Sequence, residues 1–282
     1  MFNKHLTVSA LTLTILLMGS ITQIQAASDD TVTVYSSRKE HLIQPLFEKF
    51  TEDSNIPMHL RDPEGLWTGL SVRARTIVYS TDRVDPSELS TYSDLAKEKW
   101  TGKLCLRTSK KIYTKSLVAS IIHNQGQEKA TEIVKGWVDN LAAVPNAKDS
   151  HIMDAILAGQ CDVGLVNTYY FGRLIEKTPD APLKLFWANQ DTTGVHVNVS
   201  GAGVTKHASN AADATKLLEW LSSAKAQAIY GSLNKEYPAN QNISSDEIVS
   251  TWGSFKQDKM NLAIAGKLQA DAVKLMQRLD YK

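Results

Sequence analysis

Along most of this chain, short runs that alternate apolar and polar residues take turns with longer runs whose apolar residues return every three or four positions. A period of two suits a strand, and a period near 3.6 suits a helix. Strands alternating with helices specify an α/β fold, with mainly parallel sheets expected. Val32 to Tyr35 alternates and runs into Ser36, and Leu42, Ile43, Leu46, Phe47 and Phe50 then repeat at helical spacing. Leu70 to Val78 predicts a strand whose one face carries Arg73 and Arg75. Short strands are expected around Cys105 (Lys103 to Arg107), over Cys161 to Val166, Pro182 to Trp187, and Val195 to Val199. Helices are expected near Ser93 to Lys99, over Ser116 to Asn124 and Glu128 to Ala142 with Gly126 as the stop between them, and from a Ser150 cap to Gly159. Others start at Thr168, at Asn210 and beyond Leu221, and the last carries Ala263, Leu268, Ala272, Leu275 and Leu279.

The ends and the charge balance set the compartment and exclude some partners. Met1 to Ala26 has Lys4 early, an apolar run from Leu6 to Met18 and small residues at Ala26 and Ala27, the pattern of a cleaved secretory signal. Thr7, Ser9, Thr12 and Thr14 interrupt that run, which is short of the ~20 apolar residues a membrane span needs. With 31 Lys+Arg against 30 Asp+Glu there is no basic excess to hold nucleic acid. Two cysteines are too few for a disulfide scaffold or a cysteine-rich zinc site. An exported chain can join Cys105 to Cys161, a long loop closure worth about 4 kcal/mol by chain entropy. Two buried thiols are the alternative.

Loops after strand ends are where ligands sit in open α/β sheets. Three such loops stand out: Ser36 to His41, Ser109 to Tyr113, and Asn167 to Tyr170. At the start of a helix, Tyr169 and Tyr170 lie about 100° apart, so two phenols can converge on one point near the positive helix end. A phenol gives up its proton at neutral pH only to a strong local cation, and Fe(III) is a hard, oxygen-seeking one. The plainer reading of a tyrosine pair is packing with a polar handle, and Arg73 and Arg75 are ordinarily salt-bridged unless an anion faces them. The chain has no Gly-x-Ser-x-Gly elbow, His-Glu-x-x-His pair, phosphate-cradling loop or dinucleotide fingerprint. Ser200 to Gly203 offers a weak anion nest or a flexible strand exit.

Gly69 to Tyr79, Ser87 to Tyr92, Asn167 to Tyr170, His196 to Val204, Glu236 to Pro238 and Trp252 to Phe255 together closely resemble the periplasmic ferric-iron-binding proteins of bacterial ABC importers. The resemblance spans nearly all of the chain after the signal. It implies a two-lobed, type II periplasmic-binding-protein fold, a monomer that holds Fe3+ in the cleft and hands it to a membrane permease. Residues 27–79 with 200–250 would form the first lobe, and residues 80–199 with 251–282 the second. The ligands of the tyrosine-rich branch map to Tyr113, Tyr169 and Tyr170. Arg75 would face the phenolates or a synergistic anion such as carbonate, with Arg73 as a second anion contact. Where the family often has a His-Tyr pair after strand one, this chain has Lys39 and Glu40, and Glu40 is the oxygen donor expected there. After Ile56 the chain is shorter than the family by about two strand-helix units, which truncates the first lobe. The rival readings are a small-oxyanion-binding protein, an exported hydrolase and a deletion form that binds nothing.

Overall fold

The computed structural model describes residues 68–205, 208–239, 243–260 and 262–282. The signal segment, the first strand and helix, Glu40 and the shortfall after Ile56 lie outside the described residues.

A single strand, β1 (Thr68–Ser80), organises what is described. Its second half pairs with β3 (Val163–Asn167) on one side and β4 (Leu183–Phe186) on the other, and β3 pairs in turn with β2 (Leu104–Cys105). Its first half pairs with β5 (Val197–Ala202) and β6 (Tyr237–Pro238). The changeover falls between consecutive residues: Ala74 is opposite Val197, and Arg75 is opposite Asn167. All four pairings of β1 are antiparallel, and among the described strands the β2–β3 pair is the parallel one. The expectation of mainly parallel sheets is corrected here. Apolar–polar alternation is the same in parallel and antiparallel ladders, so the direction of these pairings was not in the local pattern.

The alternation along β1 decides the layers. Ile77 and Tyr79 face a core with Leu117, Ile121, Val134, Trp137 and Leu275, whereas Val78 faces Ile152, Ile156, Val166 and Phe171 on the opposite side. The first core is roofed by α1 (Ile112–Asp139) and the C-terminal α8 (Gln269–Arg278). The second is covered by α2 (Asp149–Leu157) and α3 (Thr168–Lys177). At the other end of β1, Leu70 packs with Ala214, Leu217 and Leu221 of α4 (Ala211–Leu221), and α5 (Ala224–Asn234) follows. Each fully buried aliphatic side chain in these clusters stabilises the fold by roughly 1.5–3 kcal/mol. The short helices α6 (Glu247–Ser250) and α7 (Leu262–Lys267) complete the described chain. No described helix is long and apolar enough to cross a membrane.

Several boundaries differ from expectation. Gly126 breaks α1 at φ 81, ψ 165, as a stop should, but the helix begins at Ile112 rather than Ser116. Residue 148 (Lys148), not Ser150, caps α2, with Asp149 already in its first turn. Ser93 to Trp100 forms two 3-10 turns rather than a helix. Ser200 and Gly201 belong to the β5 ladder, so no anion nest forms there. Cys105 and Cys161 are joined by a disulfide that ties β2 to the approach to β3.

Candidate functional site

Two helix starts create the site. Tyr113 is the second residue of α1, and Tyr169 and Tyr170 are the second and third of α3, so all three phenols project from first turns. The positive ends of both helices therefore face them. The Tyr169 phenol lies close enough to those of Tyr113 and Tyr170 to feel both, and the rings of Tyr169 and Tyr170 stand 4.3 Å apart, tilted by 33°. The three phenol side chains are gathered at one place. Burial pushes the Tyr169 phenol well above its ordinary pKa, and the neighbouring phenols push it further. It is neutral until something displaces its proton.

Guanidinium groups surround the phenols. Arg107 lies 5.0 Å from the Tyr113 ring and 5.7 Å from that of Tyr170. Arg173 lies 5.0 Å from Tyr169 and 6.0 Å from Tyr170, and Arg73 lies 5.8 Å from Tyr113 while donating to Ser200 Oγ at 2.7 Å. Arg73 Nε, Arg107 Nε and Arg173 Nη2 are buried without a hydrogen-bond partner among the described residues. Buried donors of that kind suit an anion beside the phenols.

Arg75 is elsewhere. It is 1% exposed, its Nη1 stands 3.2 Å from Asp149 Oδ2 and its Nη2 donates to the Leu165 carbonyl at 3.0 Å. Asp149 pairs with Arg75, the residue expected to face the phenolates or an anion, and Arg73, two residues earlier on the same strand, lies against Tyr113. Asp149 is itself fully buried, pairs with Arg107 at 3.2 Å and accepts from the Asn167 N–H at 3.0 Å. One carboxylate thus fixes Arg107 and the N-cap residue of α3. Burial opposes the charge of Arg107, but Asp149 and Tyr170 outweigh it and its pKa is raised.

Arg107, Arg173 and Asp149 were not found from sequence. Arg173 had a readable signal, since it follows Tyr169 and Tyr170 by four and three residues and shares their helix face. Arg107 and Asp149 had none, because their partnership crosses from a strand end to a helix start. Among the described residues, no group of three His, Cys, Asp or Glu is placed to hold a metal ion. The donor set is phenolic oxygen, which suits a hard, highly charged cation and not a soft one.

Comparison with known proteins gives this arrangement its context. The chain is 38% identical over 259 residues to iron uptake protein A1 of Synechocystis, covering 90% of this chain and 72% of that one. It is 27% identical over 182 residues to the major ferric iron-binding protein of Neisseria meningitidis serogroup B, covering 64% and 54% of the two chains. Among solved structures, a Trichodesmium protein (IdiA, FutA) in complex with iron and citrate superposes with a TM-score of 0.82 at 35% identity, over 88% of this chain and 98% of that one. The apo ferric ion-binding protein A of Pasteurella haemolytica superposes with a TM-score of 0.79 at 29% identity, over 88% and 97%. These neighbours share the two-lobed α/β architecture. Residues 32–256 match the model for bacterial extracellular solute-binding proteins, and the chain belongs to that family.

Proposed function

We propose that this chain binds ferric iron outside the cytoplasm and delivers it to the permease of an ABC importer, the periplasm being its place of work. Tyr113, Tyr169 and Tyr170 supply three phenolate oxygens, and Arg73, Arg107 and Arg173 hold an anion, such as carbonate or the carboxylates of a ferric chelate, beside the metal. Glu40 is the oxygen donor proposed from the first lobe, which closes over the ion. The gathering of three phenol side chains at two helix starts carries this reading. Charge arithmetic supports it: exchanging three phenol protons for one Fe3+ leaves the net charge of the site unchanged. The three guanidiniums then still call for an anion.

Titration with ferric citrate is expected to produce a visible phenolate-to-iron charge-transfer band at one iron per chain, and Tyr169→Phe is expected to weaken it sharply. A colourless protein that retains no iron after desalting overturns the reading. The unpartnered guanidinium donors also favour a second reading, capture of a small oxyanion without metal. Calorimetry with carbonate, phosphate and sulfate in metal-free buffer separates the two.

A further inference from the structure

The helix α5 ends at Lys235 in the left-handed region, φ 54 and ψ 42. Glycine or asparagine normally takes that conformation at a helix end, because Cβ crowds the following carbonyl oxygen, a cost glycine escapes and asparagine offsets with local hydrogen bonds. A strained non-glycine residue persists where the surrounding structure over-determines it, and such positions cluster at functional sites. Here the side chain is fully engaged. Lys235 Nζ lies 2.9 Å from Glu176 Oε1 and 3.2 Å from Asp246 Oδ2, and the residue is 7% exposed. Burial works against its charge, but the bonds to Glu176 and Asp246 outweigh it, and its pKa is raised.

The three charges come from three elements. Lys235 belongs to the corner between α5 and β6, which is stitched to the first half of β1 where Ser71 and Val72 face Pro238 and Tyr237. Asp246 caps α6, accepting from the Ile248 N–H at 3.0 Å. Glu176 lies on α3, about two turns beyond the tyrosine pair. The α3 backbone comes close to the corner at Gly172, where a Cβ would stand 2.7 Å from Lys235 Cβ and 3.0 Å from Trp252 Cη2. Glycine permits the approach, and the ion pair closes it.

We propose that Lys235 is a positioning residue whose ion pair with Glu176 clamps the tyrosine-bearing helix to the half of the molecule built on the other end of β1, and so slows the loss of bound iron. The proposal rests on the ferric-iron reading above and adds the element that governs release.

The test uses the full iron-loaded chain as wild type, Lys235→Gly, Lys235→Arg, Glu176→Gln and the Lys235→Gly/Glu176→Gln double variant. Excess EDTA is added, the decay of the charge-transfer band is followed, and thermal unfolding is measured in parallel. Glycine suits the left-handed conformation, so Lys235→Gly is expected to melt at or above the wild-type temperature. It is nonetheless expected to lose iron roughly three- to tenfold faster. Lys235→Arg restores the slow rate, Glu176→Gln matches the glycine variant, and the double variant is no faster than either single one. Wild-type release rates in Lys235→Gly and Glu176→Gln overturn the clamp while leaving the iron site intact. Faster release that tracks a lower melting temperature in every variant overturns it as general loosening. If the wild type forms no band at all, the iron reading fails and the clamp falls with it.

Discussion

His196 stands beside the junction of the two sheets with 1% of its surface exposed, its Nε2 at 2.9 Å from Ser116 Oγ and 3.1 Å from Asn198 Nδ2. Burial, and then the charge of Arg75, pull its pKa down to about 3. Between that value and the ordinary one near 6.5, the unfolded chain binds a proton that the folded chain does not, so stability rises with pH across this window. On acidification the contribution is lost progressively from about pH 6.5 downward, by at most roughly 1.4 kcal/mol per pH unit. Urea unfolding of wild type and His196→Gln at pH 7, 6, 5 and 4 is expected to show a shallower acid decline in the variant. The ring also touches Ser116, one turn along the helix that presents Tyr113, so this one neutral histidine supports both the junction and the site.

The elements show which parts of the molecule could be read from local pattern and which could not. The strand with two arginines, the stop at Gly126 and the helix starting at Thr168 all follow from periodicity and from residues with special backbone freedom, and the structure has them. The start of α1 was missed because its cap, Lys111, makes no side-chain capping bond and leaves no mark in the sequence. The different fates of Arg73 and Arg75 were unreadable for another reason. Both lie on one face of one strand, and a carboxylate on a distant helix separates them. Strand direction was equally hidden, since alternation is the same in parallel and antiparallel ladders. The Cys105–Cys161 bridge, with a sequence separation of 56, constrains the unfolded chain between β2 and β3. Replacing both cysteines by alanine is expected to cost about 2–4 kcal/mol in denaturant unfolding, with the iron stoichiometry retained.

For the whole molecule, the proposed iron uptake would be a proton exchange. On that reading each phenol that becomes a ligand gives up a proton, and burial already holds the Tyr169 proton tightly. Loading with ferric ion in weakly buffered solution is expected to release close to three protons per iron from the protein, counted by pH-stat against a ferric citrate blank. The apparent affinity then falls by up to about a thousandfold for each pH unit lost in the range where all three phenols are protonated in the apo chain. Any opening of the two halves would act on the same site through β1. Residues up to Ala74 are laced into one sheet and residues from Arg75 onward into the other, so along this strand a rotation of the halves falls on the peptide between them. Such a strand behaves as a torsion bar: swinging the mouth wide winds the backbone, and Arg73 turns with one sheet while Asp149 and the phenols turn with the other. On the ferric-iron reading, retreat of a guanidinium from the anion and exposure of the metal would therefore be a single mechanical event.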